Sequence, residues 1–210
     1  LNLETGVSAL SNVFLNSLWP GLSVFIVLYV CDYALTITSA RLYRSGASEK
    51  IVFEGSYEIT PLFQKDVDSL RLVSPRFLAA LALSGGLLAG SWLLSAQSQP
   101  EWYEFVLGVM ILVQLSIHTR HLRNLFLFRT INKTGEVRGR IEYSRGLLLR
   151  MSSAEALIFS VLYLILFAFT LSWFILGGAI GCLSVAAKHR SLSRKCLASA
   201  PVAIQSTHGT

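Results

Sequence analysis

One carboxylate stands where a carboxylate is expensive. Asp32 lies inside the apolar run 19–43. Counted from Pro20 it is ~18 Å along a helix axis, near the middle of a ~30 Å hydrocarbon core. Tyr29, Thr36, Ser39 and Tyr43 recur at i−3, i+4, i+7 and i+11 and share its helical face. A polar stripe of this kind faces protein or a water-filled cavity, not lipid. Two chemistries suit it: hydrogen bonding between helices, or the binding and release of a proton or cation.

A second stripe supplies partners. Gln114, His118 and His121 fall at i, i+4 and i+7. Counted from Pro100, Gln114 is ~21 Å along its helix, close to the depth of Asp32, with His118 near the level of Ser39. The spacing predicts contacts between Asp32 and Gln114, and between Thr36 or Ser39 and His118. Together Asp32, Thr36, Ser39, Gln114, His118 and His121 form an expected polar intramembrane site.

The same histidines bear on metal chemistry. His118 and His121, completed by Asp32 or Glu58, could hold zinc with an open position, as a metal-dependent lipid hydrolase requires. A histidine within a span could also ligate a tetrapyrrole. No His-Glu-x-x-His motif supports either reading, and His189 and His208 lie in the tail. No Gly-x-Ser-x-Gly elbow, phosphate loop or dinucleotide fingerprint is present.

Charged residues cluster near the ends of these stripes. Arg41, Arg44, Arg120 and Arg123 form an expected basic collar at the inner membrane surface. Its simplest role is to contact anionic headgroups and fix topology. Glu54 and Glu58, in the loop EGSYEITP, are placed to pair with that collar as a lid over the inner mouth of the bundle.

The elements that position these residues are membrane spans. The chain is 53% hydrophobic and 14% charged, with a mean hydropathy of +0.56. Soluble domains carry about 25% charge, so composition alone indicates a membrane protein. The formal net charge is +6, but the basic residues sit at the ends of apolar runs. That pattern points to lipid headgroups and excludes nucleic acid as the explanation.

The expected fold is an all-α polytopic transmembrane bundle with spans at 20–43, 75–96, 101–122, 153–170 and 172–188, and four spans as the alternative. Pro20, Pro75 and Pro100 each suit a first helical turn. The third helix is expected to continue past the bilayer through His121, Arg123 and Arg129. Ser152–Glu155 reads as a capping box, which would start the fourth span near Ser153. The apolar run 154–187 would be about 50 Å as one helix, too long for one span, so it divides into a hairpin.

In the first charged loop, Thr60-Pro61 followed by Phe63, Val67 and Leu70 predicts a short amphipathic interfacial helix, with Ile51, Val52 and Phe53 dipping into the interface. Ala82, Gly86 and Gly90 form one small-residue stripe, and Gly177 and Gly181 another.

Residues 1–18 lack the positive segment and cleavage-type ending of a secretory signal and read as an interfacial arm. Residues 196–210 read as a disordered tail. The loops at 45–74 and 133–150 are rich in Lys and Arg, whereas the N-terminal arm and the turn at 96–100 have none. The positive-inside rule therefore places the N-terminus outside, and the charged loops and C-terminus in the cytoplasm, of a plasma or bacterial inner membrane.

The sequence thus favours a non-enzymatic subunit or binding protein that associates with lipid, other membrane subunits or copies of itself. The alternatives are a small proton- or ion-coupled transporter using Asp32 and the metal-dependent hydrolase.

Overall fold

The structure is a computed structural model that describes residues 13–134 and 137–198. It is a helical bundle. Helix α1 runs Leu18–Arg44, α2 Gln64–Asp68, α3 Pro75–Ser95, α4 Pro100–Thr134, α5 Arg145–Thr170 and α6 Trp173–Ala198. Two short strands, β1 (Ile51–Phe53) and β2 (Ile141–Tyr143), join the long loops as a parallel pair, with Ile51 opposite Ile141 and Phe53 opposite Tyr143.

Helices α1, α3, α4 and α5 are long and apolar enough to cross a membrane. Their outward faces carry large exposed apolar side chains, including Val27, Leu83, Leu94, Ile158 and Phe169.

The helix starts follow local chemistry. Ser74 caps α3: its hydroxyl accepts from the amides of Arg76 and Phe77, with Pro75 in the first turn. Ser144 caps α5 by accepting from the Leu147 amide. This moves the fourth long helix upstream of the expected start at Ser153. Ser152 and Ser153 lie inside α5 because their hydroxyls serve other helices. Ser153 donates to the Ala186 carbonyl, and Ser152 lies 2.9 Å from His189 Nδ1. The run 154–187 does break, at Leu171, which adopts a left-handed φ of 49°.

Helix α6 packs along both α5 and α4. Serines stitch the α5–α6 hairpin: Ser160 donates to the Ala179 carbonyl at 2.9 Å, and Ser193 to the Gly146 carbonyl at 2.8 Å. Glycines make the α4–α6 seam. A methyl group on Gly108 would strike the Phe174 backbone, and one on Gly177 would strike the Phe105 backbone. Gly178 and Gly181 are similarly closed by Leu112 and Val113. The stripe on α3 behaves differently. A methyl group on Gly86 or Gly90 would meet nothing within 4 Å, so among the described residues no helix closes on this stripe.

The first charged loop is built onto the bundle. Ile51, Val52 and Phe53 form β1, as suits two β-branched residues and an aromatic. Ile51 is buried against Ala47, Phe128 and Ile131. The expected amphipathic helix is reduced to α2, where Val67 packs on Tyr33, Ile37 and Phe77. Asp66 locks this corner. It accepts from the Ser74 hydroxyl at 2.6 Å and lies 3.7 and 3.8 Å from the guanidinium groups of Arg71 and Arg76.

The expected tail begins inside α6, which continues through Cys196 to Ala198; the rest of the tail and residues 1–12 of the arm lie outside the described residues.

Candidate functional site: a polar seam beside an aromatic cavity

Helices α1 and α4 run parallel and bring the two polar stripes face to face. The Asp32 carboxylate lies 3.4 Å from His121 Nε2 and 4.0 Å from His118 Nδ1. Thr36 Oγ1 donates to the Asp32 backbone carbonyl at 2.9 Å and lies 3.3 Å from His121 Nε2. Because the Thr36 proton is already committed, the imidazole proton belongs on Nε2 and faces Thr36 Oγ1, with the Asp32 carboxylate in ion-pair range but not hydrogen-bonded. Nδ1 is then a bare acceptor, and it has no described partner. His118 donates from Nδ1 to the Gln114 carbonyl at 2.7 Å, which leaves Nε2 bare.

The register differs from the sequence expectation. His121, not His118, reaches Thr36, and Asp32 meets both histidines. Equating Pro20 with Pro100 misplaces α4 by about one turn. Its first turn overhangs α1, so Tyr103 and Leu107 pack over Gly21. Gln114 and Asp32 still line one cavity of about 210 Å3, together with Tyr29, Thr36, Glu58, Arg120 and His121. Ser39 is fully buried beside the Tyr57 hydroxyl.

Asp32 Oδ1, Gln114 Oε1, His118 Nε2 and His121 Nδ1 are buried polar atoms without a hydrogen-bond partner among the described residues. Each such atom costs about 1–3 kcal/mol. A seam that served only to hold two helices would gain stability from apolar replacements. The four atoms lie along two turns of α4 and the facing turn of α1, so the unmet polar groups are concentrated in this seam.

A larger cavity of about 320 Å3 adjoins the first, and Glu58, Arg120 and His121 line both. It lies between the β1 loop, α4 and α5. Helices α4 and α5 meet here through side-chain bridges: Arg120 donates to the Ser152 hydroxyl, and Arg123 pairs with Glu155. Leu127, Leu148 and Met151 line its apolar side, with Leu127 and Met151 39% exposed at the rim.

Aromatic rings make another wall. Phe53, Tyr57, Phe128 and Tyr143 border the cavity. Phe53 packs against Tyr143 at 5.9 Å between ring centroids, and Tyr57 against Phe128 at 5.6 Å. The β1–β2 pair delivers Phe53 and Tyr143 side by side. Burial holds the Tyr57 phenol above its ordinary pKa, while the hydrogen bond donated by Asn124 and the nearby Ser39 hydroxyl pull the other way, so it stays protonated.

The expected collar does not form a ring. Arg44 donates to the Asp68 carbonyl, Arg41 is exposed, and Arg120 and Arg123 point across to α5. Nor do the lid residues act together. Glu54 accepts from the Arg145 amide at 2.9 Å, tying the loop to the start of α5. Glu58 is 8% exposed and accepts from the Thr60 amide at 2.7 Å on the shared cavity wall. No group of three His, Cys, Asp or Glu side chains able to hold a metal occurs among the described residues, so Asp32, Glu58, His118 and His121 do not converge as a ligand set.

Sequence reasoning missed Tyr57, Phe53, Phe128, Tyr143, Ser152, Glu155 and His189. The aromatics carried a faint signal in their density around the charged loops. The serine and glutamate were assigned to a cap that the helix does not use.

Fold and site together describe an all-α protein with four helices able to span a membrane and a polar seam between α1 and α4. Compared with protein-family models, curated proteins and solved structures, the chain matches none of them.

Proposed function

We propose that this chain is an integral membrane protein of the binding, non-enzymatic kind, and that it holds an amphiphile. The reading is supported above all by one observation. The cavity wall passes continuously from Leu127, Leu148 and Met151 to Glu58, Arg120 and His121. That gradient suits a molecule with an apolar chain and a polar head. The chain would enter through the α4–α5 cleft, and the head would meet the unpartnered atoms of the polar seam.

In this reading α6 is a fifth span. The N-terminus lies outside, the charged loops and C-terminus are cytoplasmic, and the exposed arginines contact anionic headgroups. Another membrane subunit or a second copy would pack on the open face of α3 at Gly86 and Gly90. Thiol labelling of Cys196 from the cytoplasmic side alone is the expected result; labelling from outside would contradict the five-span topology.

Native mass spectrometry of protein extracted in mild detergent tests the binding. One lipid-sized adduct per chain is expected, lost in Met151→Trp without loss of the folded bundle. A lipid-free wild-type protein that takes up no added lipid would overturn the reading.

A second reading rests on the Asp32–His121 pair. A carboxylate 3.4 Å from an imidazole that has a bare second nitrogen can take up and release a proton. A proton-coupled carrier of this design would lose transport in Asp32→Asn, and full transport by that variant would dismiss it.

A further inference from the structure

The ligand's headgroup is legible in the charges of the larger cavity. Four charged side chains line it: Glu58, Arg120, Arg123 and Glu155. Arg123 and Glu155 neutralise each other. Arg120 has a hydroxyl for a partner, Ser152, and no carboxylate within 4.0 Å among the described residues. Glu58 is buried and held by a backbone amide, with no described cation in ion-pair range. One cation and one anion, neither in an ion pair within 4.0 Å among the described residues, therefore share the wall, and charge complementarity calls for a ligand with both signs.

The aromatic wall makes the assignment more specific. Phe53, Tyr57, Phe128 and Tyr143 adjoin Glu58 in the same cavity. Ring faces carry negative potential and attract an ammonium, most of all one that is poorly hydrated. A guanidinium matches phosphate oxygens. Resting on the amphiphile reading above, we infer that the cavity takes a zwitterionic phospholipid, with its phosphate at Arg120 and its ammonium between Glu58 and the aromatic rings.

An anionic lipid would satisfy Arg120 but set a second negative charge beside Glu58. A neutral diglyceride would leave both charges unmet. A soluble headgroup would forgo the apolar side made by Leu127, Leu148 and Met151.

Competition for the purified, detergent-solubilised full chain tests this by native mass spectrometry. Phosphatidylcholine and phosphatidylethanolamine should each outcompete phosphatidylglycerol and diacylglycerol of the same chains by at least tenfold. Soluble glycerophosphocholine should compete at least a hundredfold less well than the lipid. Glu58→Gln, which keeps an acceptor for the Thr60 amide, should cut the zwitterion preference over phosphatidylglycerol below threefold. Arg120→Gln should weaken all three phospholipids at least fivefold while leaving diacylglycerol unchanged.

Phosphatidylglycerol binding as tightly as the zwitterions, or an unchanged preference in Glu58→Gln, would overturn the headgroup assignment while leaving an amphiphile site. Equal competition by glycerophosphocholine would assign the site to a soluble phosphodiester. Failure of every lipid, diacylglycerol included, would remove the amphiphile reading itself.

Discussion

Along α6, helix α4 makes contact through glycine; along α1, it makes contact through histidine and glutamine. The α4–α6 seam brings backbones so close that Gly108 and Gly177 leave no room for a methyl group. Cys182 and Ala179 at its centre are fully buried. The α1–α4 seam keeps Asp32, Gln114, His118 and His121 beside a cavity and leaves polar atoms unpartnered. One helix thus has a face shaped for cohesion throughout and a face that is cohesive at Tyr103 and Leu107 but turns polar from Gln114 to His121. Small-residue packing drives association between membrane helices, whereas buried polar atoms without partners oppose it. The second face therefore calls for an explanation beyond stability, and the proposed binding site supplies one.

Substitutions on the two faces should fail in different ways. The largest effect belongs to the tight seam. Gly177→Leu must push apart the α4 and α6 backbones, and overpacking of this kind costs about 3 kcal/mol or more. Loss of a monodisperse species in size-exclusion chromatography is expected.

Next comes Met151→Trp, which fills the cleft from its rim. Its melting temperature in detergent should stay within a few degrees of wild type, while lipid retention falls at least tenfold, or about 1.4 kcal/mol.

Ser160→Ala removes the 2.9 Å bond to the Ala179 carbonyl and should cost about 1 kcal/mol, read as a modest fall in melting temperature. Asp32→Asn keeps the side chain's shape beside His121 and removes an ionisable group from the interior. Its stability should change by less than about 1 kcal/mol, and a severe loss would show that the polar seam holds the bundle after all.

The smallest effect is expected on the open stripe. Gly86→Ala meets nothing within 4 Å and should be neutral, or stabilise α3 by up to about 1 kcal/mol. A destabilised Gly86→Ala would reveal a partner helix on that face.

These contrasts also mark what could be read from the sequence. Long apolar runs announced the helices, and i, i+4, i+7 spacing announced that Asp32 and the histidines share facing stripes. Their register was less legible, because it depends on where Tyr103 comes to rest over Gly21, a packing fact with no local signature. Gly177 and Gly181 resembled Gly86 and Gly90 in spacing, yet only the first pair is closed on by another helix among the described residues. A small-residue stripe shows that close approach is possible and not which helix approaches.

The aromatic cavity lay further out of reach. It depends on pairing Phe53 with Tyr143 across two loops, and parallel strands so distant in sequence leave no short-range pattern. Arg120 was legible as a charge at a membrane surface. Its turn toward Ser152 followed only once α5 was in place.

The account rests on an amphiphile lying in the α4–α5 cleft rather than spread over the outer faces. Photo-crosslinking of the membrane-embedded protein with a phosphatidylcholine that carries a diazirine on its acyl chain, followed by peptide mapping, tests this directly. Adducts concentrated at Leu127, Leu148 and Met151, and removed by excess unlabelled phosphatidylcholine, are the predicted result. Adducts confined to outward residues such as Leu83, Leu94 and Phe169, with none in the cleft, would contradict it.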